Sequence, residues 1–210
     1  ASSTNISHCT NNGSVLFESI TNYSAGTSYW YSAYMGGIAA TAGATMTISD
    51  CIDNGTFTAE AKSLTGTKPG RVTTMGMIGG GTPHLVRCTA NQTINADANC
   101  GAHKAAATAT SYFKQSLYIG ALIGRLGVSS NTDGTTHNWT KTALTCIADD
   151  CTITAKLSAP GYDNVAIFTG CTYEEATLCY TPTAATHFPI ANCTIKSGTI
   201  ARGDVSASFS

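Results

Sequence analysis

Apolar and polar residues alternate in short runs along most of this chain, at the two-residue period of a half-buried strand. Met46 and Ile48 alternate with Thr45, Thr47 and Ser49, and Phe57 stands between Thr56 and Thr58, just after the turn signal Asn54-Gly55. Val72 and Met75 precede Gly79-Gly80-Gly81-Thr82-Pro83, which reads as a glycine-rich turn, and Leu85-Val86 opens the next strand. The alternation is imperfect near the start, where Val15 and Phe17 share one face and Leu16 and Ile20 the other. It is cleanest at the end, with Val205, Ala207 and Phe209 opposite Asp204, Ser206, Ser208 and Ser210. Leu117 to Ile123 reads as a strand buried on both faces, with a short helix continuing from Ala105 as the alternative. Only 103–118 has helical character: Ala105, Ala106, Ala107 and Ala109 favour a helix there, while Thr108 and Thr110 oppose it. No internal repeat stands out. The pattern predicts an all-β fold, an Ig-like or jelly-roll-type β-sandwich with at most one short helix. Residues 1–20 form a polar arm in this reading, and 21–210 the sandwich.

The stretch from Ala143 to Leu157 makes a more specific prediction. Thr145-Cys146 and Cys151-Thr152-Ile153-Thr154 flank Ile147-Ala148-Asp149-Asp150, the pattern of a hairpin with a polar tip. Cysteines facing each other across such a loop meet disulfide geometry, so a Cys146–Cys151 bridge is expected. The same argument applies more weakly to Cys171 and Cys179.

The cysteine count widens that expectation. Nine cysteines, none in a C-x-x-C pair, are spread over 210 residues. This usage points to a disulfide-stapled protein in an oxidising compartment, with one thiol left over. Charged residues are only 11% of the chain and the formal net charge is -1, so no field attracts nucleic acid. Thr, Ser and Asn supply the polar surface. Seven Asn residues fit the glycosylation rule N-x-S/T: Asn5, Asn12, Asn22, Asn54, Asn91, Asn138 and Asn192. A chain this rich in Ser and Thr generates some of these by chance. The start, Ala1-Ser2-Ser3, reads as a mature end left by signal-peptide removal. Leu117 to Val128 is too short and too broken by glycine to span a bilayer. An extracellular or cell-surface location is expected.

No set of residues announces catalysis. His8, His84, His103, His137 and His187 are scattered, with no H-E-x-x-H and no metal-ligand spacing. No G-x-S-x-G occurs, and Asp149-Asp150 and Glu174-Glu175 are adjacent pairs whose side chains diverge in a strand. Asp149 and Asp150 lack the further oxygens that calcium requires. Arg202-Gly203-Asp204 matches an integrin-binding tripeptide, a motif short enough to arise by chance. No catalytic residue, metal or cofactor is therefore expected. Aromatic residues cluster at Tyr23, Tyr29, Trp30, Tyr31 and Tyr34. Sheet packing is the ordinary reading of such a cluster. Stacking on sugar rings is the functional one, with Trp30, Tyr31 and Trp139 as the stacking residues.

Two resemblances follow from these residues. Gly120-Ala121-Leu122-Ile123-Gly124-Arg125-Leu126-Gly127 resembles a strand segment of galactose-binding-like lectin domains. The chain as a whole is similar in composition and layout to fimbrial and pilus subunits assembled by strand donation. Those proteins have low charge, a polar N-terminal arm and an alternating apolar C-terminal strand. Nine cysteines exceed what such pilins usually carry. The resemblance implies a structural subunit that polymerises with copies of itself through β-strand addition. Val15, Phe17, Ile20, Val205 and Phe209 are then the subunit-interface residues. A module binding host or surface glycans is the alternative, and a secreted hydrolase a distant third.

Overall fold

The computed structural model describes residues 4–21, 32–43, 45–64, 72–96, 117–126, 148–160, 165–170, 190–203 and 205–209. Among them every element is a strand, and the strands follow one another in a repeating cycle of four sheets. The first coil runs β1 (Asn5–Ser7), β2 (Thr10–Asn11), β3 (Ser14–Thr21) and β4 (Ser32–Ala42). The second runs β5 (Thr47–Ser49), β6 (Ile52–Asp53), β7 (Thr56–Leu64) and β8 (Val72–Gly81). The third has β9 (His84–Val86), β10 (Thr89–Ala90), β11 (Thr93–Ala96) and a fourth side split into β12 (Leu117–Gly120) and β13 (Ile123–Leu126). The fourth has β14 (Ala148–Asp149), β15 (Thr152–Ile153), β16 (Lys156–Pro160) and β17 (Val165–Ala166). The fifth has β18 (Ile190–Ala191), β19 (Thr194–Ile195) and β20 (Gly198–Gly203), after which β21 (Val205–Phe209) turns back.

Each strand of a coil pairs in parallel with its counterpart in the neighbouring coil, while β21 folds back antiparallel on β20. The arrangement is a parallel β-helix of five coils. Among the described residues the fold is therefore all-β, but not a sandwich: Ig-like and jelly-roll sheets are antiparallel, whereas these strands return in the same direction once per coil. The alternation that suggested a sandwich is equally required here, because each strand has one face inside the coil and one outside.

A repeat does run through the chain. Cys9, Cys51, Cys88, Cys151 and Cys193 each stand between the first and second strands of their coils, at intervals of 42, 37, 63 and 42 residues. From each of the three central cysteines, alternate residues point inward across the next two strands. They are Cys51, Asp53, Gly55, Phe57 and Ala59; Cys88, Ala90, Gln92, Ile94 and Ala96; Cys151, Ile153, Ala155, Leu157 and Ala159. All of these inward positions are buried, and those at the same step share a register, as in the apolar column Phe57–Ile94–Leu157. Burying such columns is the main favourable term, at about 25 cal/mol per Å² of apolar area.

The residue before each cysteine makes the corner. His8, Asp50, Arg87, Asp150 and Asn192 all have φ between 51 and 56°. One left-handed residue turns the chain from the first sheet to the second, and Asn, Asp and His tolerate that conformation better than most. The hydrogen-bond ladder continues through this corner. His8 N–H donates to Ser49 O at 3.2 Å, Asp50 N–H to Val86 O at 3.0 Å, and Arg87 N–H to Asp149 O at 2.9 Å.

Three further expectations change accordingly. Residues 5–21 are not a free arm, since β1, β2 and β3 pair along their lengths with β5, β6 and β7. The expected hairpin around Asp149-Asp150 is a corner between two sheets, with β14 pairing to β9 and β15 to β10. Gly79 to Gly81 continues β8 instead of forming a turn. The helix expected over 103–118 falls outside the described residues up to position 116, and β12 begins at Leu117. Leu117 to Ile123 is buried throughout, as its apolar run implied.

The fourth sheet is packed so closely that its glycines are compulsory. A Cβ on Gly76 would lie 2.5 Å from the carbonyl oxygen of Gly120 and 2.8 Å from the amide nitrogen of Gly124. Both neighbours are backbone and cannot swing away. Gly76→Ala is expected to destabilise the protein by about 1–3 kcal/mol, the usual cost of overpacking, and thermal denaturation would measure it.

Candidate functional site

The five stacked cysteines are the most chemically distinctive feature of the described residues. Cys51, Cys88 and Cys151 are buried, Cys193 is half-buried and Cys9 is exposed. This gradient follows from position, because the two outer coils each lack a neighbour on one side among the described residues. None of the five is joined in a disulfide. Cys9 N–H donates to Cys51 Sγ at 3.5 Å and Cys151 N–H donates to Cys193 Sγ at 3.4 Å, so the sulfurs touch the coils next to them. The Cys51 and Cys151 thiols also donate to carbonyls two residues back, Ser49 O at 3.2 Å and Asp149 O at 3.5 Å.

Cys88 and Cys151 perturb one another. A hydrogen bond from the Cys151 thiol holds Cys88 below its ordinary value, and the same bond, with burial, pushes Cys151 well above. Burial also raises Cys51. The cysteines thus serve as inward-facing core residues, a role in which free cysteine behaves as a small hydrophobe. None of these five is joined in a disulfide here, so the expected staples are not seen among the described cysteines. Cys151, expected to bridge to Cys146, stands in the column between Cys88 and Cys193. Cys146, Cys171 and Cys179 lie outside the described residues.

A second ladder runs along the outside. Asn54 Nδ2 donates to Asn12 Oδ1 at 2.8 Å, and Asn91 Nδ2 donates to Asn54 Oδ1 at 2.9 Å. All three residues are exposed and all three head glycosylation sequons. Asn5 and Asn192 are exposed as well, while Asn22 and Asn138 lie outside the described residues. At the corner column, Arg87 makes a two-pronged ion pair with Asp50, at 2.7 and 2.8 Å. The Arg87 guanidinium holds the Asp50 carboxyl below its usual range.

Four polar side chains are buried among the described residues, Asp53, Thr74, Gln92 and Arg125, and two of them stand on the inward columns that follow the cysteines. Asp53 accepts from Asn11 Nδ2 at 2.8 Å and from Gly55 N–H at 3.0 Å through Oδ1, while its Oδ2 has no partner. Burial raises its pKa against the lowering effect of those two bonds. Gln92 donates through Nε2 to Ala121 O and leaves Oε1 without a partner. Sequence reading missed both residues, because a lone Asp or Gln in a strand reads as an outward polar position.

The remaining expected residues fall as follows. Val15 and Leu16 are exposed at 40% and 56%, and Phe17 is half-buried against the core. Ile20 lies on β3 in register with Ser63, and Val205 and Phe209 lie on β21 opposite Arg202 and Gly198. Trp30, Tyr31 and Trp139 lie outside the described residues. The segment that resembles a lectin strand is interior: Gly120 through Arg125 is buried, and the Arg125 guanidinium sits 4.8 Å from the centre of the Tyr118 ring. Among the described residues no group of three or more His, Cys, Asp or Glu is arranged to hold a metal ion, and no helix is long and apolar enough to cross a membrane. Comparison with family models, with curated proteins and with solved structures finds no match to this chain.

Two outcomes are expected. Because the raised pKa of Asp53 means that the folded state binds its proton more tightly, its contribution is full below the ordinary carboxylate value and is lost as pH climbs through the raised one. Asp53→Asn should therefore raise the melting temperature at pH 7–8, with the gain shrinking toward pH 4 in a thermal-melt series. The Asn ladder sets Nδ2 atoms one coil apart, about 4.8 Å, too close for two sugar chains. Glycopeptide mapping should find no molecule modified on neighbouring members of Asn12, Asn54 and Asn91.

Proposed function

We propose that this chain is a structural subunit of an extracellular or cell-surface assembly, in which copies join end to end by β-strand addition. The supporting observation is the order of the six-stranded sheet, β21-β20-β16-β11-β7-β3. Its two edges are β3 and β21, the first and last long segments of the described fold. Among the described residues nothing pairs with the outer edge of either. Joining β21 of one copy to β3 of the next would continue the sheet, antiparallel at the junction because β21 runs against the other strands. Such a contact uses two different surfaces and does not close on itself, so it generates a filament.

The side chains at these edges are consistent with a covered state. Val15 and Leu16 on β3 are among the few large apolar residues exposed, and neither edge is guarded by Lys or Pro, the usual devices that stop strands from pairing. Val15, Phe17, Ile20, Val205 and Phe209 all lie on these two strands. The donated-arm mechanism gives way to edge pairing between folded units, since β3 already belongs to the first coil. A surface built from outward Thr10, Thr89, Thr152 and Thr194, with little charge, suits a rod packed among other surface molecules.

Leu16→Lys and Ala207→Lys each place a charge at an exposed edge position without touching the core. Wild-type protein should form filaments in negative-stain images and sediment as polymer. Each variant should remain monomeric with an unchanged melting temperature. Wild-type protein that stays monomeric at high concentration, or polymers unaffected by both variants, would refute the reading.

A further inference from the structure

We infer that the cysteine column is a one-dimensional track for disulfide exchange, in which cross-links form only between neighbouring coils and one thiol always remains. The geometry is set by the sheet. Parallel neighbours lie about 4.8 Å apart, which places stacked Cα atoms inside the 4.4–6.8 Å range that disulfides span. Corner registers on both sides of each cysteine agree, as in Ser7↔Ser49 and Thr10↔Ile52, or Asp149↔Ala191 and Thr152↔Thr194. Sulfurs two coils apart are beyond reach, so only Cys9–Cys51, Cys51–Cys88, Cys88–Cys151 and Cys151–Cys193 are permitted. Five sites on a line hold at most two such links.

The ends of the column are its entrances. Cys9 is exposed and Cys193 half-buried, whereas the three between them have relative exposures of 0–1%. A small-molecule disulfide can reach Cys9. The Cys9 thiolate attacks one of its sulfurs, forming a mixed disulfide and releasing one small thiol. Cys51, losing its proton to solvent, then attacks the Cys9 sulfur and releases the second. Two protein thiols are oxidised and one small disulfide is reduced to two thiols. The next step needs no further oxidant. Cys88 attacks the Cys51 sulfur, forming Cys51–Cys88 and freeing Cys9 as the leaving thiolate, which takes up a proton. Because the S–S bond lies along the column, the sulfur beyond it sits close to the line of attack. Cys88 is the member whose thiolate is favoured, through its hydrogen bond from Cys151. A link made at the surface thus moves inward, and the end thiol is ready to react again.

The test uses the full-length chain, reduced and then incubated with oxidised glutathione at neutral pH. Remaining thiols are alkylated in denaturant and the peptides mapped by mass spectrometry. The expected products are links between coil neighbours only, with two links and one alkylated cysteine per column at completion. Links involving Cys9 or Cys193 should appear before Cys88 joins any. Replacing both end residues, Cys9→Ser with Cys193→Ser, should slow oxidation of the inner three by about tenfold or more, since their exposure controls access. Three results would each overturn the inference: five alkylated cysteines after long incubation, a glutathione adduct on Cys9 with no inter-coil link, or column cysteines joined to Cys100, Cys146, Cys171 or Cys179. The measurement is made on single chains, so it stands or falls independently of filament formation.

Discussion

Everything in this fold depends on the parallel ladder of backbone hydrogen bonds that holds each coil in register with the next. Strands of two or three residues, such as β2, β6 and β10, are far too short to be stable alone. They persist because the ladder does not stop at the corners. The cysteine carbonyls take part as well: Ile52, Thr89, Thr152 and Thr194 each donate to the cysteine of an adjacent coil, at 2.8–2.9 Å. Once register is fixed at one corner, the rest of the coil follows. Inward residues then meet inward residues and a common core results.

That constraint explains why unlike side chains perform like roles. Asp50, Arg87, Asp150, His8 and Asn192 range from acidic to basic, yet each occupies the same left-handed corner. Their side chains are outside and are free to vary, and in one case they pair as a charge couple. Inside, the positions tolerate less. The columns alternate bulk and economy, with Phe57, Ile94 and Leu157 beside Ala59, Ala96 and Ala159. Asp53 and Gln92 are polar exceptions, and Asp53 is a carboxyl held where a neutral group would fit better.

Much of the strand content was legible in the sequence, and the architecture was not. Alternation at Met46–Ser49, Thr56–Thr58 and Val205–Phe209 marked true strands, and the apolar run at Leu117 marked a doubly buried one. But a period of two describes a sandwich strand and a β-helix strand equally well. The distinguishing signal was the recurrence of cysteine preceded by His, Asp, Arg or Asn and followed by Thr or Ile, at positions 9, 51, 88, 151 and 193; Cys146 and Cys171 share only the second half of it. It was masked by unequal spacing, because 20 residues separate Ala96 from Leu117 and 21 separate Leu126 from Ala148. Counting cysteines without aligning them turned a core ladder into an expected set of staples. The candidate edges fared differently: Val15 and Phe209 fall on strands at opposite margins of one sheet, a relation that no local pattern encodes.

The direction of the ladder carries a mechanical consequence. Inter-coil hydrogen bonds point along the axis of the stack, so tension applied from end to end would load them in series. Coils would then peel away one after another, each at modest force, each releasing some forty to sixty residues of slack. The sulfur column lies along that same line of load. A covalent tie between two coils would take the strain from the bonds it spans, and the rod would yield only where no tie had formed.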